Sequence, residues 1–430
     1  MHNASLTESG DSKTNRRPTL SCRRRATIYV MVLGTALLVA LIGISAMTAV
    51  RVRQRSVTGG NSAIVARHCA QSAVELGLLT LKTDTAWRTS KPNGVWISDQ
   101  NLGSGTLTLE VTDPNDADLA DSDAEAVIMT GTGNCAEARY QLQVTLVPTI
   151  EPLEALSTCL HSGGNIMINN WRVLDCRDAP VSTNARLTNV GYLYADVEAN
   201  SVLAIRSISG TITAPAPSKD LPDPEVIEEY LALATAIPFT GTLQRAPLTS
   251  TYNPWGAANT DGVYSIDTGG SNLNISALRL DGTLLINTRG GTVYLGQDVH
   301  FKPARKDYPT LIVNGNLQLQ IDCLHPLRES SWGINFNPPN APYEGHADAD
   351  TIDEYPNAIY GLIHVTGNLV IEDDTLVHGV IICNGSVTFN EDLTIEHDPD
   401  LVANPPLHYT CFGTPAIAPG TWRQSIPPSN

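Results

Sequence analysis

Cysteine is scarce in this sequence, and so are the short motifs that accompany common enzyme chemistry. Eight cysteines are spread over 430 residues, and no two are spaced C-x-x-C. This excludes a disulfide-stapled miniature fold and argues against a zinc or thioredoxin-like site. A P-loop, a G-x-S-x-G elbow, an H-E-x-x-H pair and a dinucleotide fingerprint are also missing. We therefore predict a protein that is not an enzyme, with enough chain for one or two hydrophobic cores.

Positive charge is scarce beyond the N-terminus. Nine of the 27 Lys and Arg residues lie in the first 55 positions, together with only two of the 44 acids. The remainder therefore carries 18 basic and 42 acidic residues, a net charge of −24. Such a body repels nucleic acid, so nucleic-acid binding is not expected.

The sequence does contain one long apolar run, residues 27–50, between two arginine clusters. Its 24 uncharged residues exceed the roughly 20 needed to cross a bilayer and the 7 to 15 or so of a secretory signal, so we predict a retained transmembrane helix in contact with lipid. Six basic residues precede the run and only three follow it closely. The positive-inside rule then predicts a single-pass inner-membrane protein, with a cytoplasmic basic tail (residues 1–26) and a periplasmic or extracellular body.

An extracytoplasmic body exposes its cysteines to an oxidising compartment, where disulfides can form. Seven of the eight cysteines lie after the apolar run. Cys159 and Cys176 are the first candidate pair, and an odd number leaves at least one thiol over.

After the apolar run, residues 51–90 carry small and apolar residues close to helical spacing, which predicts an amphipathic helix or a continuation of the first one. The adjacent glycines Gly59 and Gly60 are expected to weaken the join. One interpretation is a juxtamembrane helix that packs on the domain behind it. The other is a spine whose membrane segment also packs against neighbouring copies through small residues, namely Gly34, Gly43, Ala36, Ala40 and Ala46.

Residues 91–150 alternate apolar and polar side chains in four segments, "GVWIS", "GTLTLEVTDP", "EAVIMTGTG" and "ARYQLQVTLVP". This pattern predicts a small antiparallel sheet behind the helix. The same pattern suits a pilin-like head or an ordinary α+β domain.

The order of a basic N-terminus, an apolar span and then "ARHCAQSAVELGLLTLKTDTAWR" resembles the start of the PilX-like minor pilins and of pseudopilins, over roughly residues 23 to 90. The resemblance implies a structural component of a type IV pilus, a secretion apparatus or the cell envelope. It also implies partners that are other pilin-like subunits or copies of the same chain. The sequence departs from the usual prepilin pattern, because Arg25, Ala26 and Thr27 stand at the expected processing region and the span holds no glutamate.

The segment "DPNDADLADSDAE" concentrates carboxylates between the second and third predicted strands. Calcium takes six to eight oxygen ligands, which loops of this kind can supply. The candidate ligands are Asp113, Asp116, Asp118, Asp121 and Asp123. The alternative is a solvated acidic hairpin loop, since the glycine and terminal glutamate of an EF-hand are missing.

Internal repetition dominates the rest of the chain. Five short segments begin with Gly164, Gly291, Gly315, Gly367 and Gly385 and place apolar residues two and four positions later. The text from Gly361 aligns with that from Gly379 at an offset of 18 residues. Stacking of such units buries a continuous core, so we predict a mainly β fold whose body, residues 151–396, is a right-handed parallel β-helix. A β-sandwich is the alternative.

Two inserts interrupt the repeat, at about residues 218–240 and 325–358, and a proline-rich cap or tail is expected over residues 397–430. A β-helix outside the cytoplasm also suits a carbohydrate-binding or polysaccharide-cleaving protein, for which the charged segments "LGQDVHFKPARKD" and "EGHADADTIDE" are the candidates. We expect convergent carboxylates along the stack if the protein cleaves polysaccharide, and mostly Asn, Thr, Ser and aliphatic side chains if it binds or scaffolds.

Overall fold

The computed structural model describes residues 21–425, and the chain divides into two compact units. The first comprises the chain up to Pro148 together with the part from Thr414 onward, and the second is Thr149–Gly413. The second unit is therefore an insertion into the sequence of the first. Most of the predicted basic tail, residues 1–20, lies outside the described residues, as do residues 426–430.

The first unit begins with α1 (Ser21–Thr83), a single helix of 63 residues, or about 95 Å at 1.5 Å per residue. It continues through Gly59 and Gly60, so the second predicted helix is a continuation of the first, and the predicted segments 27–50 and 51–90 share this one element until it ends at Thr83. Its first part is long and apolar enough to cross a membrane. A short α2 (Trp87–Ser90) follows.

The small antiparallel sheet predicted behind the helix is confirmed. Its strands are β1 (Gly94–Leu102), β2 (Gly105–Thr112), β3 (Val127–Cys135) and β4 (Ala138–Pro152). They pair antiparallel in chain order. In β2 buried and half-buried residues alternate strictly, as expected for a sheet with one face on a core.

The second unit is dominated by short parallel strands. They are β5 (Leu160–Ser162), β6 (Ile166–Ile168), β7 (Val173–Asp175), β8 (Val181–Asn189), β9 (Tyr192–Tyr194), β10 (Val197–Ala204), β11 (Ile212–Thr213), β12 (Thr235–Ala236), β13 (Thr242–Thr249), β14 (Val263–Asp267), β15 (Leu273–Asp281), β16 (Thr283–Leu295), β17 (Val299–Lys302), β18 (Leu311–Leu319), β21 (Ala358–Val365), β22 (Leu369–Ile371), β23 (Thr375–Cys383), β24 (Val387–Phe389) and β25 (Leu393–Glu396). The pair β19 (Leu327–Arg328) and β20 (Glu354–Tyr355) is antiparallel.

Helical segments flank these strands. They are a 3₁₀ turn (Glu154–Ser157), α3 (Glu225–Leu233), α4 (Glu329–Trp332) and α5 (Asp400–Ala403). The predicted insert at 218–240 contains α3, and the insert at 325–358 contains β19, α4 and β20. The buried side of α3 covers the strands with Val226, Ile227 and Tyr230.

The parallel strands stack in ten levels, which we call the parallel stack. Pairing registers align one residue from each level in a column: Thr235, Tyr264, Leu284, Leu311, Ile363, Ile381, Leu160, Val181, Val197 and Ile212. The inward-facing aliphatic side chains of the stack form one continuous core.

The order of the levels differs from the order of the chain. The chain enters at Leu160, in the middle of the stack, and winds to one end at Ile212. It then passes through α3 to Thr235 at the other end and winds back. The last complete level meets the first where β23, β24 and β25 pair with β5, β6 and β7. We call this contact the seam.

The repeat glycines predicted from sequence lie directly above one another. The amide of Gly164 donates to the carbonyl of Gly385 at 3.0 Å, that of Gly385 to Gly367 at 3.1 Å, and that of Gly367 to Gly315 at 2.9 Å. A Cβ added to Gly385 would lie 2.3 Å from the carbonyl oxygen of Gly367. Glycine is required here because successive levels approach too closely for any side chain.

The C-terminal segment was expected to be an irregular cap or tail, and this expectation is wrong. After α5 the chain forms β26 (Thr410–Ile417) and β27 (Arg423–Ser425), which extend the antiparallel sheet of the first unit. β27 pairs antiparallel with β4, with Arg423 opposite Gln143. The prolines of this segment obscured the pattern, although proline is tolerated in strands at a sheet edge.

Candidate functional site

The helix of the first unit presents two different surfaces. From Ile28 to Val57 its large apolar side chains are exposed, whereas from Ala66 onward one side of α1 is buried against the sheet. Nothing within the structure lies within 4 Å of where a Cβ would stand on Gly34 or Gly43. The predicted packing residues of α1 therefore face away from the rest of this chain.

The C-terminal half of α1 packs on the sheet through small residues. A Cβ on Gly133 of β3 would lie 1.9 Å from the carbonyl oxygen of Ala66, and one on Gly131 would lie 2.3 Å from that of Ala70. Ala66 and Ala70 are fully buried. Glycine in the strand and alanine in the helix thus bring the two backbones into contact, which fixes the position of α1 on the sheet.

The loop between β2 and β3 gathers four carboxylates. One oxygen from each of Asp113, Asp116, Asp121 and Glu125 lies within 4.8 Å of the others. Three of these four were predicted from sequence. The other two predicted ligands point elsewhere, because Asp118 Oδ1 accepts from the amide of Ala120, and Asp123 pairs with Arg88 at 3.3 Å.

The electrostatics of this loop reflect crowding. Asn115 donates to Glu125 and lowers its pKa, but the contact with Asp113, partial burial and the charge of Asp121 outweigh this, and the net result is a raised pKa. Desolvation and the neighbouring charge of Asp116 likewise raise the pKa of Asp121. The fold therefore holds these carboxylates so close together that the charged forms of Asp121 and Glu125 are disfavoured.

Sequence reasoning missed Arg88, which organises the loop. Arg88 is 8 % exposed, and its guanidinium donates to the carbonyls of Leu119 at 3.2 Å, Asp123 at 3.2 Å and Glu125 at 2.8 Å. It also lies over the ring of Trp87 at 4.6 Å. A single arginine at the end of a helix gives no local signal of contacts made more than 30 residues away.

The candidate disulfide pair lies in the core of the parallel stack. Cys159 and Cys176 are both fully buried, and both are free in this structure. Burial raises the pKa of Cys176 well above its ordinary value, which disfavours the thiolate. Their pairing under oxidising conditions stays a prediction.

In the first charged segment considered for polysaccharide cleavage, "LGQDVHFKPARKD", the charged side chains contact different partners. Asp298 accepts from the indole of Trp332 at 2.8 Å, and Lys302 and Lys306 pair with different carboxylates. His300 is buried among Tyr343, Tyr355 and Tyr360.

The second charged segment supports the fold of its own insert. Asp353 accepts from the side-chain amide of Asn337 at 2.8 Å, and Glu354 pairs with Arg328 at 3.0 Å. The same amide nitrogen of Asn337 lies 3.5 Å from Oδ2 of Asp348, so the carboxylates of Asp348 and Asp353 are both engaged in contacts within the insert.

The second face of the stack, formed by β6, β22, β24 and the strands in line with them, carries an uncharged outer column. Pairing registers align its members across nine levels, and all are exposed or half-buried. They are Thr242, Asn274, Tyr294, Gln318, Val370, Thr388, Met167, Thr188 and Leu203. This neutral column contrasts with the acidic composition of the body.

No family model matches this chain, and no curated protein matches it. Among solved structures, the competence-associated pilin ComZ from Thermus thermophilus is similar at 12% identity and a TM-score of 0.30, over 85% of this chain and 98% of ComZ. An ice-binding protein from the Antarctic ascomycete Antarctomyces psychrotrophicus is similar at 10% identity and a TM-score of 0.25, over 57% of this chain and 99% of that protein.

Proposed function

We propose that this protein is a membrane-anchored structural component of a pilin-like assembly, a minor pilin or pseudopilin of a pilus, a secretion apparatus or the envelope. The observation that carries the proposal is α1, one continuous helix that is apolar and exposed at its start and seated on an antiparallel sheet at its end. A helix of this kind serves as anchor and as assembly surface at once.

The exposed half of α1 has a face suited to helix association. Ala36, Ala40 and Gly43 are spaced i, i+4 and i+7, so they lie on one side of the helix. Small residues at this spacing allow helix backbones to approach closely in a bilayer. The absence of acids from Ser21 to Val74 of α1 favours association through packing rather than through ion pairs.

The second unit is the part that this anchor presents, with the N-terminus in the cytoplasm and the body outside it. We take its ten stacked levels to be a parallel β-helix, because an interior level such as β5, β6 and β7 holds three strands in succession, and each of them pairs in parallel with the levels on either side. Solenoids of this kind offer long, regular surfaces for binding.

A second candidate function is binding of a neutral carbohydrate polymer outside the cell. It is favoured by the uncharged column that runs from Thr242 to Leu203 on the second face, with Tyr294 able to stack on a sugar ring. Cleavage of such a polymer receives no comparable support, since the acidic segments considered for it are engaged in local contacts.

Cysteine cross-linking in membranes tests the assembly role. We expect Ala40→Cys to form covalent dimers under mild oxidation, because position 40 lies on the small-residue face. Leu38→Cys is the matched control, since position 38 is also exposed but lies on the opposite side of the helix. The measurement is the dimer fraction on non-reducing gels of membranes that contain the full chain.

A monomeric Ala40→Cys variant, or equal dimer formation at both positions, would overturn the proposal that α1 packs through this face. Wild-type membranes measure any dimer formation through the native cysteines, of which the buried ones are shielded from oxidant.

A further inference from the structure

We infer that the loop between β2 and β3 is a calcium site, with Asp113, Asp116, Asp121 and Glu125 as its carboxylate ligands. The site lies wholly within the first unit. It goes beyond the proposed function, because a calcium site in this loop neither requires nor excludes helix assembly in the membrane.

The geometry brings four carboxylates into one place without an ion-pair partner among the described residues. Oxygens of all four residues lie within 4.8 Å of one another. Among the ion pairs of the described residues, none involves these four carboxylates, although Asp123 in the same loop has Arg88 as its partner. Like charges at this separation repel unless a cation or protons lie between them.

Two buried oxygens provide an independent indication. Asp113 is 4 % exposed, and while its Oδ1 accepts from the amide of Asn115 at 2.7 Å, its Oδ2 is shielded from solvent and has no hydrogen-bond partner among the described residues. Oε2 of Glu125 is in the same position. A buried carboxylate oxygen without a partner is costly, and a metal ion is a partner that serves both oxygens.

The loop is also held in shape before any ion binds. The Arg88 guanidinium donates to three backbone carbonyls of the loop, including that of Glu125. The amide of Asp118 donates to Oδ1 of Asp116 at 2.9 Å, which orients that carboxylate. Binding therefore requires little further ordering of the chain.

The chemistry of the ligands selects calcium. All four are carboxylates, and the cluster contains no histidine or cysteine, which excludes a preference for zinc or copper. Calcium accepts six to eight oxygens in flexible geometry, so water or carbonyls can complete the shell, whereas magnesium requires a near-ideal octahedron. The millimolar calcium outside cells matches the affinity of about 10⁻⁴ to 10⁻³ M typical of extracellular modules.

Calorimetric titration of the full chain in detergent with calcium chloride tests the site. We expect one calcium ion per chain, with magnesium binding at least about tenfold more weakly. Asp116→Asn and Asp121→Asn, both at exposed positions, should each weaken calcium binding at least about tenfold, because each removes one charged ligand. At the same calcium concentration, calcium should also raise the unfolding temperature of the wild type by more than that of these variants.

Asp118→Asn is the matched control, because it removes one charge from the same loop but from outside the cluster, and asparagine retains the oxygen that accepts from Ala120. Its affinity should stay within about twofold of the wild type. Absence of calcium binding by the wild type would overturn the inference. So would an equal loss in Asp118→Asn, which would indicate diffuse attraction to an acidic loop. Circular dichroism of each variant establishes that it is folded.

Discussion

At the scale of single residues, burial decides what several side chains can do. His364 is fully enclosed on the outer side of the stack, where its ring nitrogens contact the hydroxyl of Tyr409 at 3.0 Å and the amide oxygen of Asn384 at 3.2 Å. Desolvation lowers the pKa of His364 to about 4, although the contact with Asn384 raises it slightly. These contacts give His364 a structural role at the place where Tyr409 packs on the stack.

This burial makes stability depend on pH. The folded pKa of about 4 lies below the ordinary 6.5, so the unfolded chain binds the proton more readily, and stability present above pH 6.5 is lost as the pH falls toward 4. The loss from His364 approaches about 1.4 kcal/mol per pH unit in this window. We expect His364→Gln to take up about one proton fewer on unfolding, which lowers the slope of stability against pH. Denaturant unfolding between pH 7 and pH 4.5 measures this slope.

The quantity to compare between the variant and the wild type is the slope of stability against pH, because the substitution also alters packing and so changes the absolute stability. Buried His161, whose pKa is likewise lowered to about 4, contributes in the same direction and remains in the variant. An unchanged slope in His364→Gln would contradict the assignment.

The acidic loop shows how far single residues could be predicted. Asp113, Asp116 and Asp121 were found because carboxylates cluster in the sequence, but the same reasoning included Asp118 and Asp123, which the loop turns away. Side-chain direction within an irregular loop depends on its backbone course, which Arg88 fixes from a distant helix. The composition of the sequence thus identifies the loop, and tertiary contacts determine which of its carboxylates cluster.

At the scale of elements, the repeat was predictable and its assembly order was not. Gly361 pairs with Gly379 as the 18-residue offset requires, and the glycines of successive levels coincide. The seam, however, pairs Ile381 with Leu160, which are 221 residues apart. Local periodicity specifies what one level looks like but contains no information on which distant level it joins. The same limit explains why the C-terminal strands were missed.

Close contact between two adjacent levels of the stack predicts a strong effect of one methyl group. We expect Gly385→Ala to lower the unfolding temperature of the second unit markedly, because its Cβ would approach the carbonyl oxygen of Gly367 to 2.3 Å and overpacking costs about 1–3 kcal/mol. Gly256→Ala is the control, since its nearest neighbour would be 3.6 Å away and no positive φ is involved. Similar unfolding temperatures for both variants would contradict the stacking described for this column.

At the scale of the whole molecule, the main hydrophobic cores of the two units share no residue. One contains α1 and the antiparallel sheet, and the other fills the parallel stack. Each core draws only on residues of its own unit. Cores of this kind are expected to unfold as separate cooperative transitions.

Scanning calorimetry of the full chain should therefore resolve two transitions. Gly133→Ala, whose Cβ would lie 1.9 Å from the carbonyl oxygen of Ala66, should shift only the transition of the first unit, and Gly385→Ala only that of the second. A single transition moved by both substitutions would show instead that the two cores unfold cooperatively.

The seam also governs how such a chain can be elaborated by gene duplication. Both ends of the inserted segment lead to adjacent levels in the interior of the stack, whereas the terminal levels at Ile212 and Thr235 are joined to each other through α3. Copies of an 18-residue unit added at either end of the stack would leave the junctions with the first unit unchanged, but the connection through α3 would have to lengthen to span the added levels.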